Sequence, residues 1–207
     1  MKLFTYPISM KKCIVLVLLL VGSYAGLAQK MRVGLKLGGN VSDGVGADAE
    51  ESLLRLGAHA GAAFQFNVTQ HIGLQAEAQY SLKGDNSLEY GPSIMHQLAY
   101  LDIPVLAQYT LDDVYLEAGP RVSRLLSVRS NDDEVVSAGK GVFNTQTYGF
   151  SLGFGYQNET GIQIGWRYNA DLTPLYRDID FLDTTVRTNI RNSTMQFYLG
   201  YMLGFGR

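Results

Sequence analysis

The feature of this sequence that most constrains its fold is a strict alternation of apolar and polar residues around a short turn. Between Leu98 and Leu126, two alternating runs flank a turn at Leu111 and Asp112. Successive side chains of a β-strand point to opposite faces, so each run has one apolar face and one polar face. The segment is therefore predicted to be an antiparallel hairpin, and the rest of the chain repeats its pattern.

Eight alternating segments occur in total, and no stretch shows a convincing helical period. They are 31–41, 55–68, 72–83, the two runs of the central hairpin, 145–156, 161–170 and 193–205. The connections alternate long and short, which in an up-and-down barrel collects all short turns at one end. Transmembrane barrels have this asymmetry, and strands of about ten residues match a tilted membrane span.

The predicted fold class is therefore all-β. We expect an eight-stranded antiparallel up-and-down transmembrane β-barrel with short periplasmic turns and long external loops.

The N-terminal residues are predicted to be a signal peptide rather than part of the barrel. Two lysines precede an apolar run from Cys13 to Val21, and small residues follow as far as Ala28. A charged region, an apolar region and a small-residue cleavage site are typical of secretory signals. We expect residues 1–28 to be removed and residues 29–207 to form the barrel domain.

Charge and composition exclude several classes of function. Without the three lysines of residues 1–28, Lys plus Arg falls from 17 to 14 against 19 acidic residues, a net charge of −5. A chain of this charge has no signature of nucleic-acid binding. The one cysteine lies within residues 1–28, so no disulfide frames the mature chain. No metal-spaced cluster is present either, and we expect no cofactor.

The identity of the inner face separates a membrane barrel from a soluble one. A soluble periplasmic lipocalin-like barrel would turn its apolar face inward around a ligand. Here the polar face is rich in glycine, which weakens an exposed strand but suits a narrow interior. Aromatic residues lie on the apolar face near both strand ends, as membrane interfaces select: Phe66, Tyr109, Tyr156 and Phe205 at the short turns, Tyr80, Tyr148, Tyr168 and Phe197 opposite. The pattern favours lipid outside, with the soluble barrel as the alternative.

Several segments resemble the outer-membrane β-barrel family that includes PorT-like proteins. They are GLKLGGN at 34–40, QAEAQYSLKG at 75–84, YLDIPVL at 100–106, EAGP at 117–120 and RYN at 167–169. The resemblance covers nearly the whole mature chain and implies an outer-membrane location in a Gram-negative bacterium. PorT itself is tied to a secretion system, but that activity is not carried over to this chain. The chain ends in Gly-Arg rather than in the usual aromatic insertion signal.

The partners expected from this resemblance are outer-membrane lipid, the barrel-insertion machinery and an envelope or secretion protein. Long loops are the large surfaces that face outward, so we expect partner recognition there. The connection 171–192 is the best candidate because it holds apolar residues among charges: Leu175, Tyr176, Ile179 and Phe181.

Six charged residues share the predicted inner face: Lys36, Arg121 and Arg167 against Glu77, Asp102 and Glu117. An eight-stranded interior is just wide enough for side chains to fill it, and charges taken out of water need partners. If Thr110 faces Asp113 across the turn, Asp102 lies opposite Arg121. We therefore expect an ion pair that, with the other charges, plugs the barrel.

The functional alternatives are a structural, binding or secretion-associated barrel, a small porin-like channel, and an enzyme. His59, Ser81 and His96 are predicted near one row of the upper lumen. A serine beside a histidine can serve as nucleophile and base, as an outer-membrane hydrolase or acyltransferase would need. Polar lumen residues at ordinary frequency explain the same pattern, and we expect no enzyme.

Overall fold

The computed structural model describes residues 31–46, 54–85, 96–129, 135–137, 143–177, 179–181, 184–186 and 189–205. The predicted signal peptide therefore lies outside the described residues. Within them, every long regular element is a β-strand. No helix in this part of the chain is long and apolar enough to cross a membrane.

Eight long strands form one closed antiparallel sheet. In chain order the strands are β1 (Met31–Gly46), β2 (Arg55–Asn67), β3 (Ile72–Asp85), β4 (His96–Leu111), β5 (Val114–Arg129), β6 (Val135–Ser137), β7 (Gln146–Gln157), β8 (Ile162–Asp171), β9 (Ile179–Phe181), β10 (Thr184–Val186) and β11 (Ile190–Phe205). Strand β1 pairs with β11, and β4 pairs with β5, so the sheet closes into a barrel. The short strand β6 pairs with the outer end of β5, while β9 and β10 form a separate hairpin. The predicted eight-stranded barrel is confirmed.

The connections divide the barrel into two unlike ends. Three of them are short, namely 68–71, 112–113 and 158–161, and four are long, namely 47–54, 86–95, 130–145 and 172–189. Strands β1, β5 and β11 each extend at least three residues further toward the long-loop end than the alternation predicts. The first residue of β1 and the last residue of β11 lie at the short-turn end, where Met31 pairs with Phe205.

The strand register fixes the tilt of the barrel wall. Following directly paired residues once around the barrel from Met31 leads to Val41 on the same strand. The stagger is therefore ten residues (41 − 31 = 10). An eight-stranded barrel with such a stagger has strands inclined by about 40° and an interior that side chains can fill.

Side chains are sorted by polarity across the wall. The outward-facing Leu35 and Leu116 are 69% and 59% exposed, whereas the inward-facing Gln163 and Arg167 are fully buried. Along β7 the two classes alternate without a break. The prediction that the apolar face is outside is confirmed, and a polar interior does not fit the lipocalin-like alternative.

The predicted pairing across the central turn is wrong by two residues. Leu111 pairs with Val114, so Asp102 lies opposite Ser123 and Arg121 lies opposite Pro104. The turn consists of Asp112 and Asp113, and Asp112 has φ of +52°. Aspartate tolerates this left-handed conformation, which tight hairpin turns require.

A small apolar cluster packs at the long-loop end of the barrel, where the sheet itself is bulged next to Tyr100. It consists of Leu98, Tyr100, Leu125, Val128, Phe143 and Leu175, with Tyr176 packed against it. Two long connections thus meet the inner wall of β4 and β5.

Candidate functional site in the barrel lumen

The described part of the lumen buries equal numbers of opposite charges. Among the described residues, four cationic and four acidic side chains are buried to 5% exposure or less: Lys36, Lys83, Arg121 and Arg167, with Glu77, Asp102, Glu117 and Asp171. All six predicted lumen residues are in this set. The net charge of the set is zero, which removes much of the cost of placing ions in a low-dielectric interior.

The centre of the lumen is organised by Arg167 on β8. Its Nη1 and Nη2 donate to the Glu77 carboxylate at 2.7 and 2.9 Å, and its Nε donates to Glu117 Oε1 at 2.7 Å. Lys36 Nζ donates to Glu77 Oε1 at 2.8 Å. The guanidinium thus bridges β3 and β5 from a third strand, and charge-assisted bonds of this kind are the strong ones.

Space for this cluster comes from a pair of glycines in the wall. Gly155 and Gly165 pair directly, and each also lies opposite an inward tyrosine, Tyr115 and Tyr198 respectively. A Cβ at either glycine would stand within 2.6 Å of a phenol ring atom. The two hydroxyls are 2.7 Å apart, and Tyr198 donates to Glu117 Oε1 at 3.0 Å. The tyrosines therefore lie over the glycines and support the central carboxylate.

A second charged cluster lies nearer the long-loop end. Lys83 Nζ is 2.6 Å from Asp102 Oδ2, and Arg121 Nη2 donates to Asp171 Oδ1 at 2.6 Å. The predicted pair of Asp102 and Arg121 is formed diagonally, at 3.8 Å, rather than between opposed residues. The Nζ of Lys83 also lies over the ring of Tyr100, 5.0 Å from the ring centroid.

Lys83 and Asp171 are the two lumen charges that sequence reasoning missed. Lys83 is the last residue of the predicted strand 72–83, and Asp171 lies one residue past the predicted strand 161–170. Lys83 follows Ser81 on the inner face of β3, and Asp171 follows Asn169 on the inner face of β8. Extending the alternation to the ends of these strands would have found both residues.

At the short-turn end, glutamine amides replace the charges. Gln163 donates to Gln157 at 2.5 Å, Gln157 to Gln65 at 3.4 Å, and Gln65 to Gln108 at 3.0 Å. Gln108 then donates to Glu117 at 3.1 Å, which joins this row to the central cluster. Side chains from five strands thus connect across the barrel by direct hydrogen bonds.

The proposed serine and histidine pair is held by an asparagine. His59 and Ser81 lie opposite one another on β2 and β3. However, His59 Nδ1 is 2.7 Å from Asn40 Oδ1, and Asn40 Nδ2 donates to Ser81 Oγ at 2.9 Å. Among the described residues no hydrogen bond joins the histidine to the serine. His96 pairs with Asp85 further along, and its side chain lies outside the described residues.

The predicted recognition residues of the last long connection are not all presented outward. Leu175 is 3% exposed within the apolar cluster, and Tyr176 stacks on Phe143 with ring centroids 5.2 Å apart. This corrects the expectation that Leu175 faces a partner. Ile179 and Phe181 lie on β9, and their side chains lie outside the described residues.

A clamp fixes the start of this connection. Asn144 Nδ2 donates to the carbonyls of Pro174 and Tyr176 at 2.8 and 2.9 Å, and its backbone N–H donates to the Leu175 carbonyl at 2.9 Å. Residues 174–176 are therefore tied to the strand-entry segment of β7.

Together, the apolar wall and the polar lumen define a membrane-spanning β-barrel whose described interior is lined by buried polar and charged side chains. In the described part of the chain, no group of three or more His, Cys, Asp or Glu residues could hold a metal ion. The family described as outer membrane protein beta-barrel domain matches residues 27–177. The chain belongs to this family, which places it in the outer membrane of a Gram-negative bacterium.

Solved structures with the same fold include Ail, the attachment invasion locus protein of Yersinia pestis, in complex with the heparin analogue sucrose octasulfate. It is 11% identical, with 84% of this chain and 99% of that chain covered and a TM-score of 0.51. Neisserial surface protein A is 14% identical, with 82% and 96% covered and a TM-score of 0.50. At these identities the likeness concerns the fold alone. No curated protein matches the sequence.

Proposed function

We propose that the protein is a closed, non-conducting outer-membrane barrel that presents its long loops to a partner in the cell envelope. The observation that carries the proposal is the lumen, where four buried cations and four buried carboxylates are paired across strands. Side chains that bond directly to each other across strands occupy the centre of the described lumen. This arrangement favours a scaffold over the small porin-like channel.

The plug is tested by electrical recording. Purified barrel refolded into planar bilayers is expected to give no stable single-channel steps. A variant with the central cluster shortened, Glu77→Ala/Arg167→Ala, provides the matched control that removes side chains from the lumen centre. Stable conductance of the wild-type protein would overturn the closed-lumen proposal and favour the channel.

An enzyme is the less supported candidate. Asn40 takes the hydrogen bonds through which His59 would activate Ser81. A hydrolase or acyltransferase at this position would need a histidine bonded to the serine itself. We therefore propose a role in recognition. A relationship to PorT-like proteins and a role in a secretion system are more specific versions of this proposal.

Recognition is assigned to the outer part of the last long connection. Residues 174–176 are held by the apolar cluster and by the hydrogen bonds from Asn144. The hairpin of β9 and β10 follows them in the sequence, and we assign recognition to that hairpin. Deleting residues 179–186 is expected to leave the barrel folded, as judged by its heat-modifiable migration in gel electrophoresis. The same deletion is expected to abolish cross-linking to an envelope partner. Unchanged cross-linking would refute the assignment.

The proposal also includes export of the chain and its insertion into the outer membrane. Residues 1–28 serve as a cleaved signal peptide, the barrel-insertion machinery is the assembly partner, and membrane lipid surrounds the wall of the barrel formed within residues 29–207. N-terminal sequencing of the protein from outer membranes is expected to begin at Gln29. A start within the apolar run would refute the cleavage site.

A further inference from the structure

Several buried polar atoms of the lumen bond to no other group of the protein. Among the described residues they include the Nε2 of His59, the Nδ2 of Asn169 and both amide atoms of Gln196. These three side chains are 3%, 1% and 1% exposed. A buried polar group without a hydrogen bond costs free energy, so nearly all such groups are bonded either to protein or to ordered water.

The strand register brings Gln196 and Asn169 to one level of the barrel. Gln196 on β11 lies opposite Asn40 on β1 and opposite Arg167 on β8. Asn169 is the next inward residue of β8 after Arg167, so it is a diagonal neighbour of Gln196. Asp171 of the second charged cluster follows on the same face of β8. The level therefore lies between the two charged clusters.

The ring of His59 reaches this level from β2. Its Cε1 is 2.7 Å from where a Cβ of Gly38 would stand, so the ring lies over β1. Gly38 pairs with Tyr198 on β11, and Gln196 is the neighbouring inward residue of that strand. The Nδ1 of His59 is 2.7 Å from Asn40 Oδ1, which can only accept a hydrogen bond. In the neutral imidazole Nδ1 therefore carries the proton, and Nε2 is an acceptor.

The protein groups opposite Gln196 are bonded elsewhere. The amide nitrogen of Asn40 donates to three oxygens of β2 and β3, and its oxygen accepts from His59. All three guanidinium nitrogens of Arg167 donate to carboxylates of the central cluster. The Gln196 amide lies between these two residues and bonds to neither.

The next row of the lumen leaves space beside these groups. Ser42, Thr194, Asn169 and Ser151 face each other in order across β1, β11, β8 and β7. Their side chains are short and bond to immediate neighbours, at 3.4 Å for Ser42 with Thr194 and 2.6 Å for Ser151 with Asn169. Because short side chains on this half of the wall do not reach the barrel axis, small molecules fit beside Gln196.

We propose that ordered water molecules occupy this layer between the two charged clusters and bond to Gln196, Asn169 and His59. The unpartnered atoms include acceptors, Gln196 Oε1 and His59 Nε2, and donors, Gln196 Nε2 and Asn169 Nδ2. Water serves both kinds of atom, and a buried water makes about 2–4 hydrogen bonds. A neutral occupant also fits the charge of the described lumen, whose buried ions already sum to zero. These waters stay in place when the rest of the lumen is dehydrated.

The test is a high-resolution crystal structure of the full-length barrel grown in a lipid mesophase, with separate soaks in rubidium and bromide salts. We expect density for water oxygens about 2.7–3.2 Å from the unpartnered atoms of Gln196, Asn169 and His59. We expect no anomalous signal from either ion in this layer. Direct bonds among the three side chains without density between them would overturn the proposal. An anomalous peak of rubidium or bromide there would overturn the assignment to water.

Gln196→Met nearly preserves the length of the side chain and removes both amide atoms. The variant is expected to lose the water density beside position 196 and to unfold at a lower urea concentration in lipid vesicles, because the waters lose a partner. Unfolding at a higher urea concentration would overturn the proposal, since replacing an amide that has no partner at all with an apolar group is stabilising.

Gln108→Met is the matched control, because both amide atoms of this buried glutamine bond directly to the side chains of Gln65 and Glu117. It should leave the water density beside Asn169 unchanged, and loss of that density would overturn the assigned position of the waters. Heat-modifiable migration confirms that each variant is folded. None of these results depends on the conductance test or on loop recognition, so failure of the proposed function is seen separately.

Discussion

Removing Arg167 isolates the contribution of the central ion cluster. The Arg167→Gln change deletes three charge-assisted hydrogen bonds of 2.7, 2.7 and 2.9 Å and leaves the described lumen set with three cations against four carboxylates. Removing one partner of a buried ion pair costs about 3–5 kcal/mol, because the other charge remains buried without compensation.

The low end of that range applies here. Glu77 keeps Lys36 as a cationic partner, at 2.8 Å. Glu117 keeps two neutral donors, Gln108 and Tyr198, at 3.1 and 3.0 Å. We therefore expect the free energy of unfolding to fall by about 3 kcal/mol.

The measurement is urea unfolding of the barrel in lipid vesicles. Trp166 is the sole tryptophan of the sequence, and it reports on the strand that carries the mutation. The double variant Glu117→Gln/Arg167→Gln restores equal numbers of opposite charges. This variant is expected to recover at least half of the loss in the free energy of unfolding. A double-mutant cycle then gives the coupling energy between Glu117 and Arg167. A loss below about 1 kcal/mol in Arg167→Gln, or strictly additive single changes, would refute the reasoning.

Three further changes address the wall and the clamp. Gly165→Leu should lower the free energy of unfolding by about 1–3 kcal/mol, because the inner tyrosines must move. Gly39→Ala should be neutral in the same urea assay, because a Cβ at Gly39 meets nothing closer than 4.0 Å. Val105→Arg, near the middle of β4, should impair folding into vesicles by about 2–4 kcal/mol, and Leu111→Arg, on the same strand next to the short turn, by about 0–1 kcal/mol. Equal effects would contradict the lipid-facing depth assigned to the middle of the strand. Asn144→Ala should expose the last long connection to limited proteolysis while heat-modifiable migration is unchanged, and an unaltered cleavage pattern would show that the clamp is dispensable.

The face of each residue could be predicted from the sequence more securely than its partner. Side chains alternate with a period of two, so an error of two residues in register keeps every side chain on its own face. The expected pairing of Asp102 with Arg121 had such an error, and both residues still lie in the lumen. Their main partners are instead Lys83, on the adjacent strand β3, and Asp171, on β8 two strands from β5 with Gly149 between.

The error arose at the turn, where local chemistry decides between two registers. Leu111 and Val114 can pair only if Asp112 and Asp113 form the two-residue turn, with Asp112 at φ +52°. Alternation alone does not distinguish this from a turn one residue earlier. The burial of Leu175 in an apolar cluster could not be predicted from the sequence either, because burial of a loop residue depends on contacts with distant strands.

The sequence separation of the lumen contacts has a consequence for assembly. Arg167 and Glu77 are 90 residues apart, and Arg121 and Asp171 are 50 apart. The bond from Arg167 on β8 to Glu77 on β3 joins strands that face each other across the lumen only when the sheet closes. Arg121 and Asp171 lie in one row with Gly149 between them, so these two residues can meet before β1 meets β11. The polar interior must stay hydrated until that last seam closes. Insertion, dehydration of the lumen and pairing of Arg167 with Glu77 are therefore expected to occur as one concerted and slow step, since distant contacts require closure of long loops.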